Sequence, residues 1–165
     1  MAVGIGWLGK VGVCIRTNEA VRHAVEGDLE QLLELYQHLH RDEPLLAIDN
    51  RVRQLWSEML ADDKMHVLLT EEGGALVSSC TLTVITNLTR CARPYGLMEN
   101  VVTHSDHRRR GYGKRVVEGA LKIAWETECY KVMLLTGNES AVQFYEKCGF
   151  VQGIKTGLVA YPNGL

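Results

Sequence analysis

Residues 95–124 constrain the fold most strongly, because they have the pattern of a strand, a turn and a helix in direct succession. "YGLMENVVTH" has the apolar and β-branched residues of a strand, with one acid, Glu99, in its middle. The turn "SDHRRRGYG" follows, and apolar residues then recur at helical spacing from Val116 to Ala124. Since a helix N-terminus attracts anions through its unpaired N–H groups and its dipole, the segment predicts an α/β fold with a basic anion site.

The rest of the chain predicts one mixed α/β (α+β) domain. A capping box of Asp28 and Gln31 precedes the first helix, and Asp49 or Asn50 caps the second. The predicted order is a strand at 21–24, helices at 29–39 and 52–60, strands at 65–70, 75–85 and 95–104, a helix at 116–124, a strand at 130–136, a helix at 138–148, and a last strand or two at 150–161. This order is not an alternating βαβ pattern throughout.

Two finer predictions concern domain limits and side-chain direction. The domain is expected to span residues 19–165, and residues 1–18 are expected to form an N-terminal extension or an added edge strand. In the strand at 75–85, alternation places Leu76, Cys80, Leu82 and Val84 on one face. Ser79, Thr81 and Thr83 are then expected on the opposite face.

Composition excludes several functions. With 165 residues, a formal net charge of -2 and a pI near 6.3, the chain lacks the broad basic face that nucleic-acid binding needs. No stretch approaches the roughly 18 apolar residues of a membrane span, so no membrane partner is expected. The five cysteines form no CxxC pair and no histidine-spaced ligand set, which predicts no metal site. Their odd number favours a reducing, cytoplasmic setting.

The basic turn is open to two interpretations. Gly111 and Gly113 remove side chains where a ligand must approach the backbone. The cations around them can hold phosphate oxygens; these are Arg108, Arg109, Arg110, Lys114 and Arg115. A pyrophosphate fits this chemistry, and a solvated basic loop is the alternative. The turn is neither a GxGxxG fingerprint nor a Walker loop, so an NAD site and a P-loop site are not expected.

A second motif favours the pyrophosphate. "NESAVQFYEKCGF" and "RRRGYG" together resemble the GNAT superfamily of acyl-CoA-dependent N-acetyltransferases, whose paired motifs are [RQ]-x-x-G-x-[GA] and N-x-x-A-x-x-[FL]-Y-x-x-x-G-[FW]. The second motif matches at Asn138, Ala141, Phe144, Tyr145, Gly149 and Phe150. The resemblance covers residues 20–161. It implies a single GNAT-like domain with a central, mostly antiparallel sheet, splayed at the cofactor cleft and flanked by about four helices.

The resemblance implies acetyl-CoA as cosubstrate and assigns residues to it. Arg108, Arg109, Arg110, Gly111, Tyr112, Gly113 and Lys114 would wrap the pyrophosphate. The backbones of Val101 and Thr103 would pair with the pantetheine arm like an added strand. Asn138 would contact the pantetheine, Phe144 would lie in the same site, and Lys147 would reach the 3'-phosphate side.

Amide formation from a thioester indicates two catalytic residues. An alkylammonium with a pKa of about 10 must lose a proton before it attacks, and Glu99, in an otherwise apolar strand, is the candidate base. Burial is expected to make Glu99 a stronger base, although a solvent-facing or arginine-paired Glu99 is the alternative. The resemblance implies that Tyr145 protonates the departing sulfur. Cys148 has no activating partner at helical spacing, so direct transfer in a ternary complex is expected.

The acceptor is expected to be a primary amine of a small molecule, with Arg93, Tyr95 and Asn100 as substrate-binding residues. "GLMENVV" and "CYKVML" resemble the branch of the superfamily that acetylates an amino-sugar phosphate. Two positions depart from that branch, because Asn100 and Leu135 stand where it carries acids. A catalytically silent acyl-CoA-binding module and a protein or peptide N-acetyltransferase remain as alternatives. The resemblance also implies a homodimer.

Overall fold

The computed structural model describes residues 20–39 and 44–162; the predicted extension at 1–18 lies outside them. The five-stranded sheet has the order β1-β2-β3-β4-β5, antiparallel except for the parallel pair β4–β5. The elements are β1 (Arg22–His23), α1 (Leu29–Tyr36), α2 (Asn50–Ala61), β2 (Met65–Glu72), β3 (Ala75–Ile85), α3 (Thr89–Ala92), β4 (Tyr95–Thr103), α4 (Tyr112–Glu126), β5 (Val132–Met133) and α5 (Val142–Lys147). The predicted mixed α/β class and the mostly antiparallel sheet are confirmed.

The core has two layers, one on each face of the sheet. On one face α4 packs through Val116 and Val117 against Leu68 and Met98. On the other face α1 and α2 pack against β2, with Leu32, Leu35 and Trp56 beside Val67 and Leu69. Successive residues of β2 therefore point to opposite faces and are buried on both. This is why "MHVLLT" has a continuous apolar run rather than an alternating one.

A register shift in the β2–β3 hairpin corrects one predicted face. Thr70 pairs with Ser78 but Glu71 pairs with Leu76, so β3 holds one extra residue there. An extra residue reverses the alternation of side chains on the bulged strand. Cys80, Leu82 and Val84 lie on the α4 side as predicted. The prediction was wrong for Leu76, which packs on the α1 side.

Asp28 does not form the predicted capping box with Gln31. Its carboxylate instead accepts two hydrogen bonds of 2.7 Å from Arg22 and one of 2.7 Å from the Val25 amide. The Gln31 side chain accepts from the backbone N–H of Leu76 at 3.1 Å. The ion pair between Asp28 and Arg22 therefore connects the start of α1 to β1.

The C-terminal part of the chain differs most from the prediction. The strand expected at 130–136 is reduced to β5, and residues 151–162 form no strand. Val151, Ile154 and Leu158 are exposed there. A β-strand needs a partner to satisfy its backbone groups, and no described strand lies beyond β5 to supply one. The apolar pattern of 150–161 was therefore insufficient to predict a strand.

The described residues hold neither a membrane-spanning helix nor a metal cluster. Within 20–39 and 44–162, every helix is too short or too polar to cross a bilayer. The same ranges bring together no group of three His, Cys, Asp or Glu side chains that could bind a metal ion. Their thiols are free: Cys80, Cys129 and Cys148 are buried, and Cys91 is exposed.

Candidate active site

The edge of β4 that faces β5 is open along most of its length. β5 pairs with β4 only at Gly96 and Leu97, opposite Val132 and Met133. After Leu97, no described strand pairs with that edge. The predicted splaying of the sheet is confirmed. Backbone N–H and C=O groups on an unpaired edge can bind an extended ligand as an additional strand. We call the space beside this edge the cleft.

A β-bulge lies at the beginning of the cleft. Thr81 pairs with Glu99 but Ser79 pairs with Val102, so β4 carries one more residue than β3 between these pairs. The extra residue, Asn100, has a left-handed φ of 53°. Asn tolerates this region better than most residues because its short polar side chain can hydrogen-bond locally. The bulge holds two consecutive exposed residues, Glu99 and Asn100, in a strand that is otherwise mostly covered.

Glu99 is exposed, whereas the sequence predicted a buried side chain at this position. Its neighbours Met98 and Val102 are buried, at 1% and 4% exposure, whereas Glu99 itself is exposed. The apolar sequence around it suggested burial, but Glu99 follows the regular register with β3, and ordinary alternation points its side chain away from the face on which Met98 is buried.

Tyr145 lies on α5 between two aromatic rings. Its ring centroid is 5.1 Å from that of Phe144 and 5.9 Å from that of Phe150. Burial raises the pKa of Tyr145, and the nearby thiols and Glu99 raise it further. A hydroxyl with a raised pKa stays protonated at neutral pH and can donate a hydrogen bond.

The arginine turn, residues 105–111, leads from β4 into α4. Gly111 precedes the helix with a left-handed φ of 90°, a conformation that glycine adopts without strain. The first intrahelical bond runs from the Arg115 amide to the Gly111 carbonyl at 3.0 Å. The N–H groups of Tyr112, Gly113 and Lys114 precede that bond and are the donors that a helix N-terminus offers to an anion.

Gly113 is also required for close packing between α4 and β4, a role that was not predicted from the sequence. A Cβ at this position would lie 2.8 Å from Thr103 Oγ1 and 3.5 Å from Phe144 Cζ. The absence of a side chain therefore allows α4 to approach the end of β4 and α5. A Cβ at Gly111 would meet nothing within 4 Å, so its conformation is what requires glycine there.

The three arginines have different surroundings. Arg108 donates to the carbonyls of Thr103 and His38, each at 3.2 Å, and so braces the end of β4 against the segment after α1. Arg109 is exposed and has a left-handed φ of 61°. Arg110 forms an ion pair with Glu72. All three side chains are exposed, and Arg108 and Arg110 also hold the turn in place through these contacts.

Glu72 and His107 support this turn, and neither residue was predicted from the sequence to belong to the site. The Glu72 carboxylate contacts Arg110 and lies 2.7 Å from His107 Nδ1. Partial desolvation works against ionisation of Glu72, but hydrogen bonds from Tyr112, Arg110 and His107 outweigh it and lower its pKa. Glu72 lies 38 positions before Arg110 in the chain, so no local pattern could have indicated the contact.

Three other residues that were predicted to bind the cofactor lie near the starts of α4 and α5. Tyr112 is buried, and the Arg115 guanidinium carbon lies 4.3 Å from the centre of its ring. Lys114 is exposed and lies 3.5 Å from Glu118. The Asn138 side chain accepts from the amide and the hydroxyl of Ser140, at 3.0 and 2.7 Å, and caps the turn before α5.

Arg93 and Tyr95 lie at the other end of β4. Arg93 donates to the carbonyls of Glu128 and Cys129, at 3.1 and 3.4 Å, and so fixes the segment after α4. Tyr95 is four positions before Glu99, which is about 13 Å along a strand. Of the three predicted acceptor residues, Asn100 alone lies beside Glu99.

Comparison with known proteins gives consistent results. The model of the family described as "Acetyltransferase (GNAT) family" matches residues 29–150. The chain is 31% identical over 131 residues to the glucosamine 6-phosphate N-acetyltransferase of Trypanosoma brucei brucei, covering 76% of this chain and 84% of that protein. It is 33% identical over 129 residues to glucosamine 6-phosphate N-acetyltransferase 1 of Oryza sativa subsp. japonica, covering 73% of each.

Solved structures agree with these relatives. The structure of a putative acetyltransferase from Agrobacterium tumefaciens str. C58 superposes with a TM-score of 0.81 at 44% identity, covering 86% of this chain and 99% of that one. The structure of glucosamine-6-phosphate N-acetyltransferase from Arabidopsis thaliana superposes with a TM-score of 0.77. Its identity is 23%, with 86% of this chain and 97% of that one covered, so this likeness concerns the fold.

Proposed function

Because the chain belongs to the acetyltransferase (GNAT) family, we propose that it transfers the acetyl group of acetyl-CoA to the primary amine of a small molecule, directly and in a ternary complex. It is an acetyl-CoA-dependent N-acetyltransferase. One observation carries the proposal: the open edge of β4 runs between Glu99 at one end and the arginine turn at the other. A long ligand with an anionic part and a reactive end fits such a site.

The residues present suit acetyl-CoA. Its pyrophosphate would lie at the N-terminus of α4, beside Arg109 and Arg110. Its pantetheine amides would pair with the backbones of Val101 and Thr103, as an added strand does. Bound there, the cosubstrate supplies an acetyl group activated as a thioester. Tyr145, on α5, would face its sulfur.

Glu99 and Tyr145 divide the proton transfers. The acceptor amine loses a proton to the Glu99 carboxylate, directly or through water, because only the neutral amine is nucleophilic. The amine nitrogen then bonds to the acetyl carbon as the carbon–sulfur bond breaks. Tyr145 gives its proton to the departing sulfur, and the second proton that the new amide nitrogen loses restores the Tyr145 hydroxyl. The backbone N–H of Val101 would stabilise negative charge on the carbonyl oxygen.

We propose glucosamine 6-phosphate as the first acceptor to test, since the two relatives described above are named as N-acetyltransferases of this compound. Asn100 and Leu135 are the positions at which this chain departs from the amino-sugar branch. Leu135 is 56% exposed and Asn100 is at the bulge. An acceptor that needs carboxylates at those positions would react slowly, so the panel should extend to other small amines.

Release of free thiol from acetyl-CoA tests the proposal with glucosamine 6-phosphate, simpler amino sugars, polyamines and peptide N-termini. Glu99→Gln and Tyr145→Phe should each lower kcat by about 100-fold or more, the range of a lost acid–base catalyst. Glu126→Gln is a matched control at an exposed position at the far end of α4 and should retain full activity.

Calorimetry with coenzyme A separates binding from catalysis. If coenzyme A binds but no amine releases thiol, the chain is an acyl-CoA-binding module and the proposal is wrong. If free thiol is released with peptides alone, the acceptors of this enzyme are peptides or proteins rather than small molecules. Accumulation of an acetylated enzyme in the absence of acceptor would exclude direct transfer.

A further inference from the structure

Two histidine side chains accept hydrogen bonds from the first two amides of the arginine turn. The backbone N–H of Ser105 donates to His38 Nδ1 at 3.4 Å, and the backbone N–H of Asp106 donates to His104 Nδ1 at 3.2 Å. The two imidazole rings lie side by side, with their centroids 4.0 Å apart and their planes tilted by 52°. We call His38 and His104 the histidine pair. The pair holds the chain at the point where it leaves β4 and enters the turn.

The two members of the pair belong to different parts of the fold. His38 follows α1, and its carbonyl accepts from the Arg108 guanidinium at 3.2 Å. His104 follows β4, and its own amide donates to the Val77 carbonyl of β3 at 2.9 Å. Both histidines are half-buried. Contacts from α1 and from the sheet therefore meet at the beginning of the arginine turn.

The two hydrogen bonds require neutral imidazole rings. A backbone N–H can only donate, so the Nδ1 atoms of His38 and His104 must each present a lone pair. A neutral imidazole with a free Nδ1 lone pair carries its proton on Nε2, whereas an imidazolium has two N–H donors and no acceptor. Protonation of either ring therefore breaks its hydrogen bond to the turn.

Several charged or titratable groups contact the pair or its neighbour His107, whose ring is 5.3 Å from that of His104. These groups are Asp106, Arg108 and Arg110 of the turn, and Glu72 at the end of β2. The Glu72 carboxylate is bound to His107 and Arg110. Protonation of both members of the pair would place two cations side by side, so repulsion would add to the loss of the hydrogen bonds.

The held segment leads directly into the proposed pyrophosphate site. Ser105 and Asp106 begin the turn that carries Arg109 and Arg110 and ends at the N-terminus of α4. A ligand that binds one conformation of a segment loses affinity in proportion to the fraction of molecules in other conformations. Loss of the two anchoring hydrogen bonds would lower the fraction of molecules that can bind the coenzyme.

We propose that His38 and His104 are positioning residues for the coenzyme, and that they hold the arginine turn in its binding conformation only while both rings are neutral. This inference rests on the proposed function in taking the turn as the site of the pyrophosphate. Neither ring exchanges a proton with the substrates. Because histidine ordinarily gains its proton between about pH 8 and pH 5, affinity for coenzyme A falls in acid. Histidines that bound phosphate directly through their charge would have the opposite effect.

Asparagine separates the acceptor from the charge. Its side-chain carbonyl can accept the same amide hydrogen bond and does not titrate, and asparagine is favoured at the helix N-cap position that His104 occupies. Calorimetry with coenzyme A compares the wild type with the double variant His38→Asn/His104→Asn at about pH 8 and about pH 5.5. The double variant also reports how much the titration of the coenzyme's own phosphates contributes.

The wild type should lose about ten-fold more affinity in acid than the double asparagine variant, which corresponds to the loss of one to two hydrogen bonds. The two proteins should bind equally well at about pH 8. His38→Ala and His104→Ala remove the acceptors, so each should raise the KM for acetyl-CoA at every pH and leave kcat nearly unchanged. His23→Asn is the matched control, because His23 is exposed on β1, at the opposite edge of the sheet from the cleft. It should keep the pH dependence of the wild type.

Amide NMR of the wild type supplies a readout that does not depend on how the variants fold. The signals of Ser105 and Asp106 should move as the histidines gain their protons. Amides that do not respond, or an equal pH dependence of affinity in the wild type and the double asparagine variant, would overturn the inference. Tighter binding in acid by the wild type alone would also overturn it and would assign the histidines to the phosphates. If the wild type does not bind coenzyme A at about pH 8, the proposed function is what fails, and the NMR titration still decides whether the histidine pair holds the turn.

Discussion

Gly113→Ala offers a sharp test of how the helix end is held at the cleft. The added methyl would lie 2.8 Å from Thr103 Oγ1, too close for either atom to stay in place. The Thr103 hydroxyl lies 2.9 Å from Ser78 Oγ, so moving it away from the new methyl would break this contact. Overpacking costs about 1–3 kcal/mol. Alanine recovers about 0.5–1 kcal/mol relative to glycine in a helix.

The expected net loss is therefore about 0.5–2 kcal/mol in the free energy of unfolding, measured by urea denaturation. Affinity for coenzyme A, measured by calorimetry, should fall as well, because the N-terminus of α4 is displaced from the edge of β4. Gly119→Ala is a matched control: its Cβ would lie 2.9 Å from Val21 Cγ1, on α4 but away from the cleft. It should lower stability similarly and leave affinity intact.

A double mutant identifies the contact responsible. Thr103→Ala removes the atom that the new methyl meets, so the losses of Gly113→Ala and Thr103→Ala should combine to less than their sum. Additive losses would refute the packing argument. So would a Gly113→Ala protein as stable as the wild type, since the helix would then have room for a side chain.

Three further predictions concern charge and thiols. Asp28→Asn breaks the pairing with Arg22 and should cost about 3 kcal/mol in urea denaturation. Because Arg22 lowers the pKa of Asp28, this contribution is complete above about pH 5 and is lost as the pH falls below about 4, so the two proteins should converge in acid. Arg110→Glu should abolish the rise in Tm with coenzyme A. Burial raises the pKa of Cys80 to about 12, so iodoacetamide at pH 8 should modify Cys91 long before Cys80, as mass spectrometry can measure.

Local sequence patterns predicted most of the helices and strands. The apolar spacing in α1, α2 and α4 follows directly from which side of each helix meets the sheet. Asp49, one of the two proposed caps of α2, accepts from the Val52 amide at 2.8 Å. These features depend on residues a few positions apart, which a sequence displays.

Features that depend on distant pairing were not predictable. The face of Leu76 follows from a register shift, which is set by the neighbouring strand. Asp28 has the spacing of a helix cap, but its carboxylate binds Arg22 of β1. Glu72 and Arg110 are far apart in the sequence and come into contact only in the folded chain. The motifs indicated where the site lies, and tertiary contacts determine what surrounds each side chain.

The open edge of β4 has a consequence for the life of the protein in a cell. An unpaired strand edge is a template on which another chain can add, which is a route to aggregation. Under the proposed function, the coenzyme covers this edge and stabilises the fold by about 2.7 kcal/mol when its concentration is 100 times its Kd. The amount of soluble enzyme would then rise and fall with the supply of its own acyl donor.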